Sequence, residues 1–109
     1  MIDLKSRQSF LGPNIDAVCR DQYIGIIGLC GGGSHIGQQL AHVGFANFAL
    51  CDFDHVEHSN LPRMVGSRPQ DAKRVRNKTQ VISRMMRQIN PRINIDCFAS
   101  KWQDNAEKL

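Results

Sequence analysis

A short apolar run that breaks into glycines constrains this chain more than any other feature. Residues 23 to 29, Tyr-Ile-Gly-Ile-Ile-Gly-Leu, are continuous, uncharged and rich in isoleucine, the pattern of a strand buried on both faces of a parallel sheet. Gly28-Leu29-Cys30-Gly31-Gly32-Gly33 follows at its end. Ser34 is then placed to cap a helix in which Ile36, Leu40 and Val43 recur at i, i+4 and i+7, with Gly44 to end it. A glycine turn between strand and helix lets backbone approach a phosphate where a Cβ would obstruct, and the helix N-terminus offers free N–H groups. Gly28, Gly31 and Gly33, as G-x-x-G-x-G, are therefore the candidate nucleotide-binding glycines.

The rhythm continues in the same style. Residues 47 to 53, Asn-Phe-Ala-Leu-Cys-Asp-Phe, read as a second strand, and Asp52 near its end stands where an acid accepts ribose hydroxyls. A polar loop with His55, His58, Asn60, Pro62 and Gly66 precedes a helix expected from about Lys73 to Asn90. Val75, Ile82 and Ile89 recur along it at helical spacing, and Pro91 stops it. Residues 93 to 98 alternate as a third strand, and Ser100 to Leu109 would begin another helix. The order β-α-β-α-β predicts an α/β chain, the first half of a Rossmann-like doubly wound parallel sheet. Residues 1–22, with a turn at Leu11-Gly12-Pro13, are expected to form an N-terminal helix and arm, and residues 23–109 a nucleotide-binding domain.

Charge narrows the ligand class. With 14 Lys and Arg against 10 Asp and Glu in 109 residues, the formal charge is +4. Most of the positive charge lies between Arg63 and Arg92, in Arg63, Arg68, Lys73, Arg74, Arg76, Lys78, Arg84, Arg87 and Arg92. Such a cluster suits an anion, including a nucleoside triphosphate. No aromatic residues interleave the charges for base stacking, which argues against nucleic acid. The absence of an apolar run near 18 residues argues against a membrane span. Four cysteines, Cys19, Cys30, Cys51 and Cys97, form no C-x-x-C pair, and together with the lack of a signal-like N-terminus they predict a reducing, cytoplasmic setting.

Three strings in order resemble the nucleotide-binding half of the MoeB/ThiF family, the bacterial branch of the ubiquitin-activating enzymes. They are Gly28-Leu29-Cys30-Gly31-Gly32-Gly33-Ser34, Cys51-Asp52-Phe53-Asp54 and Ser59-Asn60-Leu61-Pro62-Arg63. Lys78 ahead of Ile89-Asn90-Pro91, and Arg7-Gln8 near the start, extend the resemblance over residues 7 to 95. It implies adenylation of the C-terminal carboxylate of a ubiquitin-like or sulfur-carrier protein by ATP with Mg2+. It also implies that Asp52 binds the ribose, that Asn60, Arg63 and Lys78 contact the triphosphate, and that Arg7 reaches the phosphates of the opposite protomer of a homodimer. Arg63, Lys78 and Arg7 are then the catalytic candidates, acting by charge stabilisation.

The chain departs from the family pattern at Cys30, where a loop glycine is usual, and at Met64, where a glutamine is usual. It is also two residues longer between Arg63 and Lys78. The family's magnesium aspartate, zinc cysteines and catalytic thiol would fall past Leu109, so this polypeptide alone is expected to adenylate poorly. A nicotinamide- or flavin-dependent oxidoreductase domain and a non-catalytic dimerisation module are the alternatives. Arg63 and Lys78 argue against the former, since a dinucleotide has no triphosphate for them to meet. His55, Glu57 and His58 read as a solvated loop rather than a metal site, His35 and His42 as helix surface, and Cys30 as packing. Arg74, Arg76, Arg84 and Arg87 read as a solvated face.

Overall fold

The computed structural model describes residues 15–100. Arg7, the turn at Leu11-Gly12-Pro13 and the helix expected after Ser100 lie outside those residues. Helix α1 (Ile15–Asp21) leads into strand β1 (Tyr23–Ile27), helix α2 (Gly31–Val43) and strand β2 (Asn47–Cys51). A 3-10 turn (His58–Asn60), helix α3 (Pro69–Lys73), helix α4 (Lys78–Ile89) and strand β3 (Asn94–Phe98) complete the order. The sheet is β1-β2-β3, all parallel, with Gly25 opposite Ala49 and Ala49 opposite Asp96. This is the Rossmann-like α/β architecture that the rhythm predicts.

Helices α2 and α4 pack on each other and on the sheet face carrying Ile24, Ile26, Phe48, Leu50 and Ile95. Phe48, Leu50, Ile82 and Met86 are fully buried there, each contributing about 1.5–3 kcal/mol by leaving water. Strand β2 runs down the centre and is buried on both faces. The expectation for β1 was different: it is an edge strand among the described residues, with Tyr23 48% and Ile27 54% exposed. On the face away from α2 and α4, the Tyr23 hydroxyl donates to Asp96 Oδ2 at 2.8 Å. By register Tyr23 stands opposite Asn47 and Asp96 opposite the fully buried Ala49, so the bond crosses β2 on a diagonal. No helix of the described residues is long and apolar enough to cross a membrane.

Two helices differ from their sequence reading. The N-cap of α2 is Cys30 rather than Ser34, and the buried face is Ser34, Gly37 and Ala41, while Ile36 is 50% and Val43 39% exposed. Small residues face inward because α2 approaches α4 closely: Met86 Sδ lies 3.3 Å from where a Cβ on Gly37 would stand. Gly44 does end the helix, in the left-handed region, its N–H donating to Leu40 O. The single helix expected over 73–90 is instead α3 and α4, broken at Arg74–Asn77. Val75 takes φ +52° there and Asn77 caps α4 by accepting from Thr79 N at 2.8 Å.

Candidate functional site

The glycine turn divides its glycines between two tasks. Gly28 has φ +83°, a conformation that disfavours any side chain, and its N–H donates to Cys51 O at 3.0 Å. Gly33 sits so tightly on the turn that a Cβ would stand 1.7 Å from Gly28 O. Gly31 and Gly32 face open space. They begin α2, and the first-turn N–H groups there have no i−4 carbonyl to meet, which leaves donors and partial positive charge for an anion. Cys30 is partly buried against the core, as a packing residue would be.

Asp52 ties this turn to the rest of the site. Its Oδ2 accepts from Leu29 N at 2.9 Å and its Oδ1 from Asp54 N at 2.8 Å. Each oxygen keeps a second lone pair, and the residue is half-buried at the end of the sheet. The strap after it is held to the start of α4, since Asn77 Nδ2 donates to Asp54 O at 3.1 Å and Lys78 N does the same at 3.1 Å. Lys78 is therefore brought beside the Asp52 segment. Its side chain is 8% exposed, and among the described residues its ammonium meets only Asp54 Oδ2, at 3.8 Å. That is a long ion pair for a nearly buried cation with three donors.

Asn60 is buried, with Oδ1 turned back to accept from Glu57 N at 2.8 Å. Among the described residues its Nδ2 has no protein partner. Arg63, one turn on, is exposed and its guanidinium makes no ion pair among the described residues. Met64 is buried in the core, which accounts for an apolar residue in place of glutamine. Asn60, Arg63 and Lys78 thus retain donors that the described protein atoms leave unmet.

Sequence reasoning missed the group that holds this region together. Asp71 is fully buried and accepts from Arg76 Nη1 and Arg84 Nη1 at 2.8 Å through Oδ1, and from Arg84 Nη2 at 2.7 Å and Arg68 N at 2.8 Å through Oδ2. The Arg84 fork, with Arg76 and Arg68 N–H behind it, outweighs burial and holds the carboxyl well below the usual carboxylate range. Arg84 is raised in turn. Arg76 and Arg84 are therefore ion-pair residues and not a solvated face, whereas Arg74 and Arg87 are exposed. An aspartate three residues after Arg68, at the third position of a helix begun by Pro69, was the available signal.

His35, His42, His55, Glu57 and His58 are all exposed. A groove of about 500 Å3 between α4 and β3, lined by residues such as Gln80, Arg87 and Cys97, contains none of Gly31, Asp52, Asn60, Arg63 or Lys78. A divalent cation does not fit the carboxylates near the turn. Asp54 faces Lys78 and Asp52 receives two N–H groups, while a hard cation takes several oxygen ligands.

The ThiF family pattern matches residues 6–109. The chain is similar to a molybdopterin-synthase adenylyltransferase of Haemophilus influenzae, 40% identical over 84 residues, which are 77% of this chain and 33% of that protein. It is also similar to tRNA threonylcarbamoyladenosine dehydratase 2 of Saccharomyces cerevisiae, 31% identical over 107 residues, which are 97% of this chain and 24% of that protein. Among solved structures, E. coli MccB with ATP matches with a TM-score of 0.83 and 27% identity, over 98% of this chain and 34% of MccB. The chain thus spans a third or less of the length of these curated relatives. With the family pattern running through the glycine turn, the Asp52 strap and the Lys78 helix, this chain belongs to the ThiF family.

Proposed function

We propose that the chain is the nucleotide-binding part of an ATP-dependent adenylating enzyme, with the C-terminal carboxylate of a ubiquitin-like or sulfur-carrier protein as its second substrate. The observation that carries this reading is Lys78: a cation with 8% side-chain exposure and, among the described residues, one distant counter-ion is suited to a highly charged anion that supplies further acceptors. In the reaction, a carboxylate oxygen bonds to the α-phosphorus of ATP and the bond to pyrophosphate breaks. The products are an acyl-adenylate and pyrophosphate.

Each residue then has a role within that step. Asp52 accepts the ribose hydroxyls on its remaining lone pairs while Leu29 N–H holds it in place. The free N–H groups at the start of α2 meet phosphate oxygens. Asn60, Arg63 and Lys78 hold the triphosphate and stabilise the charge that grows on the departing pyrophosphate. No general base is needed, because a carboxylate is already ionised near neutral pH. Arg7 would serve the opposite protomer of a homodimer, and the compartment we assign is the cytoplasm. No step is assigned to magnesium within residues 15–100.

The test is titration of the 109-residue chain with ATP and, separately, with NAD. ATP binds, NAD does not, and Lys78→Ala and Arg63→Ala each weaken ATP by about tenfold or more, the cost of a lost charge-assisted contact. Tight NAD binding indifferent to both substitutions, or no ATP binding by the unaltered chain, overturns the reading in favour of a dinucleotide enzyme or a non-catalytic module.

A further inference from the structure

We infer that Ser34 and Arg84 are positioning residues that clasp the Arg63 segment between α2 and α4 and so fix the backbone from which its guanidinium reaches the triphosphate. The inference rests on the reading of Arg63 as a triphosphate contact. Arg63 itself is exposed, and an exposed arginine loses side-chain entropy when a ligand orders it. Its backbone is the part that the protein fixes in advance. Arg63 N and Met64 N both donate to Asn60 O at 2.9 Å, which closes a helical turn. Immediately beyond that turn two bonds leave the segment in different directions.

The first runs to α2. Val65 N donates to Ser34 Oγ at 3.0 Å, and the same hydroxyl donates to Gly31 O at 2.9 Å. Ser34 is fully buried. One hydroxyl therefore links the Arg63 segment to the backbone of the glycine turn, a link that alanine cannot make. The second runs to α4. Arg84 Nη2 donates to Gly66 O at 3.0 Å, while the same guanidinium forks onto Asp71. Because Asp71 has no exposure and four donors, Arg84 has little freedom to swing away. Lys78 begins the same helix. Through residues 65 and 66 the segment is thus registered against both the phosphate-facing turn and the helix that carries the second cation. Arg84 and Ser34 touch no substrate in this arrangement and act only through Arg63.

A cycle of variants separates positioning from mere stabilisation. ATP affinity is measured for Ser34→Ala and Arg84→Gln, alone and combined with Arg63→Ala, with urea unfolding in parallel. Ile82→Val, a core change on α4 that removes a methyl group and no hydrogen bond of either clasp, is the control for stability alone. Each clasp variant weakens ATP by about threefold to tenfold in the presence of Arg63 and has no further effect once Arg63 is alanine, the signature of coupled residues. Ile82→Val lowers stability without changing affinity. Additive losses, unchanged affinity in the clasp variants, or an equal loss in Ile82→Val overturn the inference while leaving the ATP reading intact. An unchanged affinity in Arg63→Ala overturns the reading of Arg63 and the inference with it. If Arg84→Gln does not fold, Arg84→Lys takes its place, since it keeps the charge but loses the fork.

Discussion

A carboxylate without exposed surface costs several kcal/mol unless its lone pairs are met, and Asp71 has four donors arranged to meet them. Replacing it by asparagine leaves Arg84 and Arg76 without their counter-ion, and the expected loss is about 3 kcal/mol in urea unfolding. The carboxyl is held below its unfolded value of about 3.9, so its contribution is complete above that pH and is lost as pH falls through the folded value. Asp71→Asn should therefore flatten the acid limb of the stability curve below about pH 4; an unchanged limb would show that other carboxylates dominate it. Gly33 makes the opposite kind of case. Its residue type was legible because a turn into a helix needs close approach, and the 1.7 Å separation from Gly28 O gives that need a magnitude. Gly33→Ala is expected to abolish folding, or at least to cost more than about 3 kcal/mol, as read by circular dichroism. Asp71 was legible only in part: its place three residues after Arg68 is a local capping signal, whereas the two arginines that meet it, 5 and 13 residues further on, are announced by no local pattern.

At the scale of elements, strand and helix order could be read because period and glycine punctuation are local, whereas which face turns inward could not. Ile36, Leu40 and Val43 repeat as a buried stripe should, yet the tight approach of α2 to α4 puts Ser34, Gly37 and Ala41 inside, with Leu40 half-buried against the core and Ile36 and Val43 exposed. Distance between helices decides this, and distance is a tertiary quantity. The break between α3 and α4 has a similar origin. Arg76 N–H donates to Asp71 O and its guanidinium to Asp71 Oδ1, drawing the chain back over Arg74 and Val75 at the point where helical spacing alone would continue. Val75 bears the consequence, a β-branched residue at φ +52° with 60% of its surface exposed. Such a residue in the left-handed region costs roughly 1–2 kcal/mol. Val75→Gly removes that strain and only a small exposed side chain, so thermal unfolding should show a gain of up to about 1 kcal/mol after the entropy cost of glycine. A loss of stability would mean that the left-handed turn is not strained as described.

For the whole molecule the deciding feature is that the sheet is covered unequally. Helices α2 and α4 bury one face, and β2 is buried on both. On the other face Tyr23 and Ile27 remain about half exposed, and nearby in sequence Phe53 is 53% exposed. The Tyr23 to Asp96 bond crosses β2 on this face, and partial burial followed by that bond raises the phenol above its ordinary range. The β1 edge also carries unpaired backbone groups among the described residues. An open edge beside exposed apolar side chains promotes pairing between copies. The 109-residue chain should consequently associate as its concentration rises, and Ile27→Lys, which puts a charge at that edge, should reduce the association without altering ATP affinity. Sedimentation at increasing concentration reads the first effect and titration the second. A monomer at every concentration, or a lysine variant that associates as strongly as the parent, would mean that this face is adequately covered within the chain and that its exposed side chains do not drive contact.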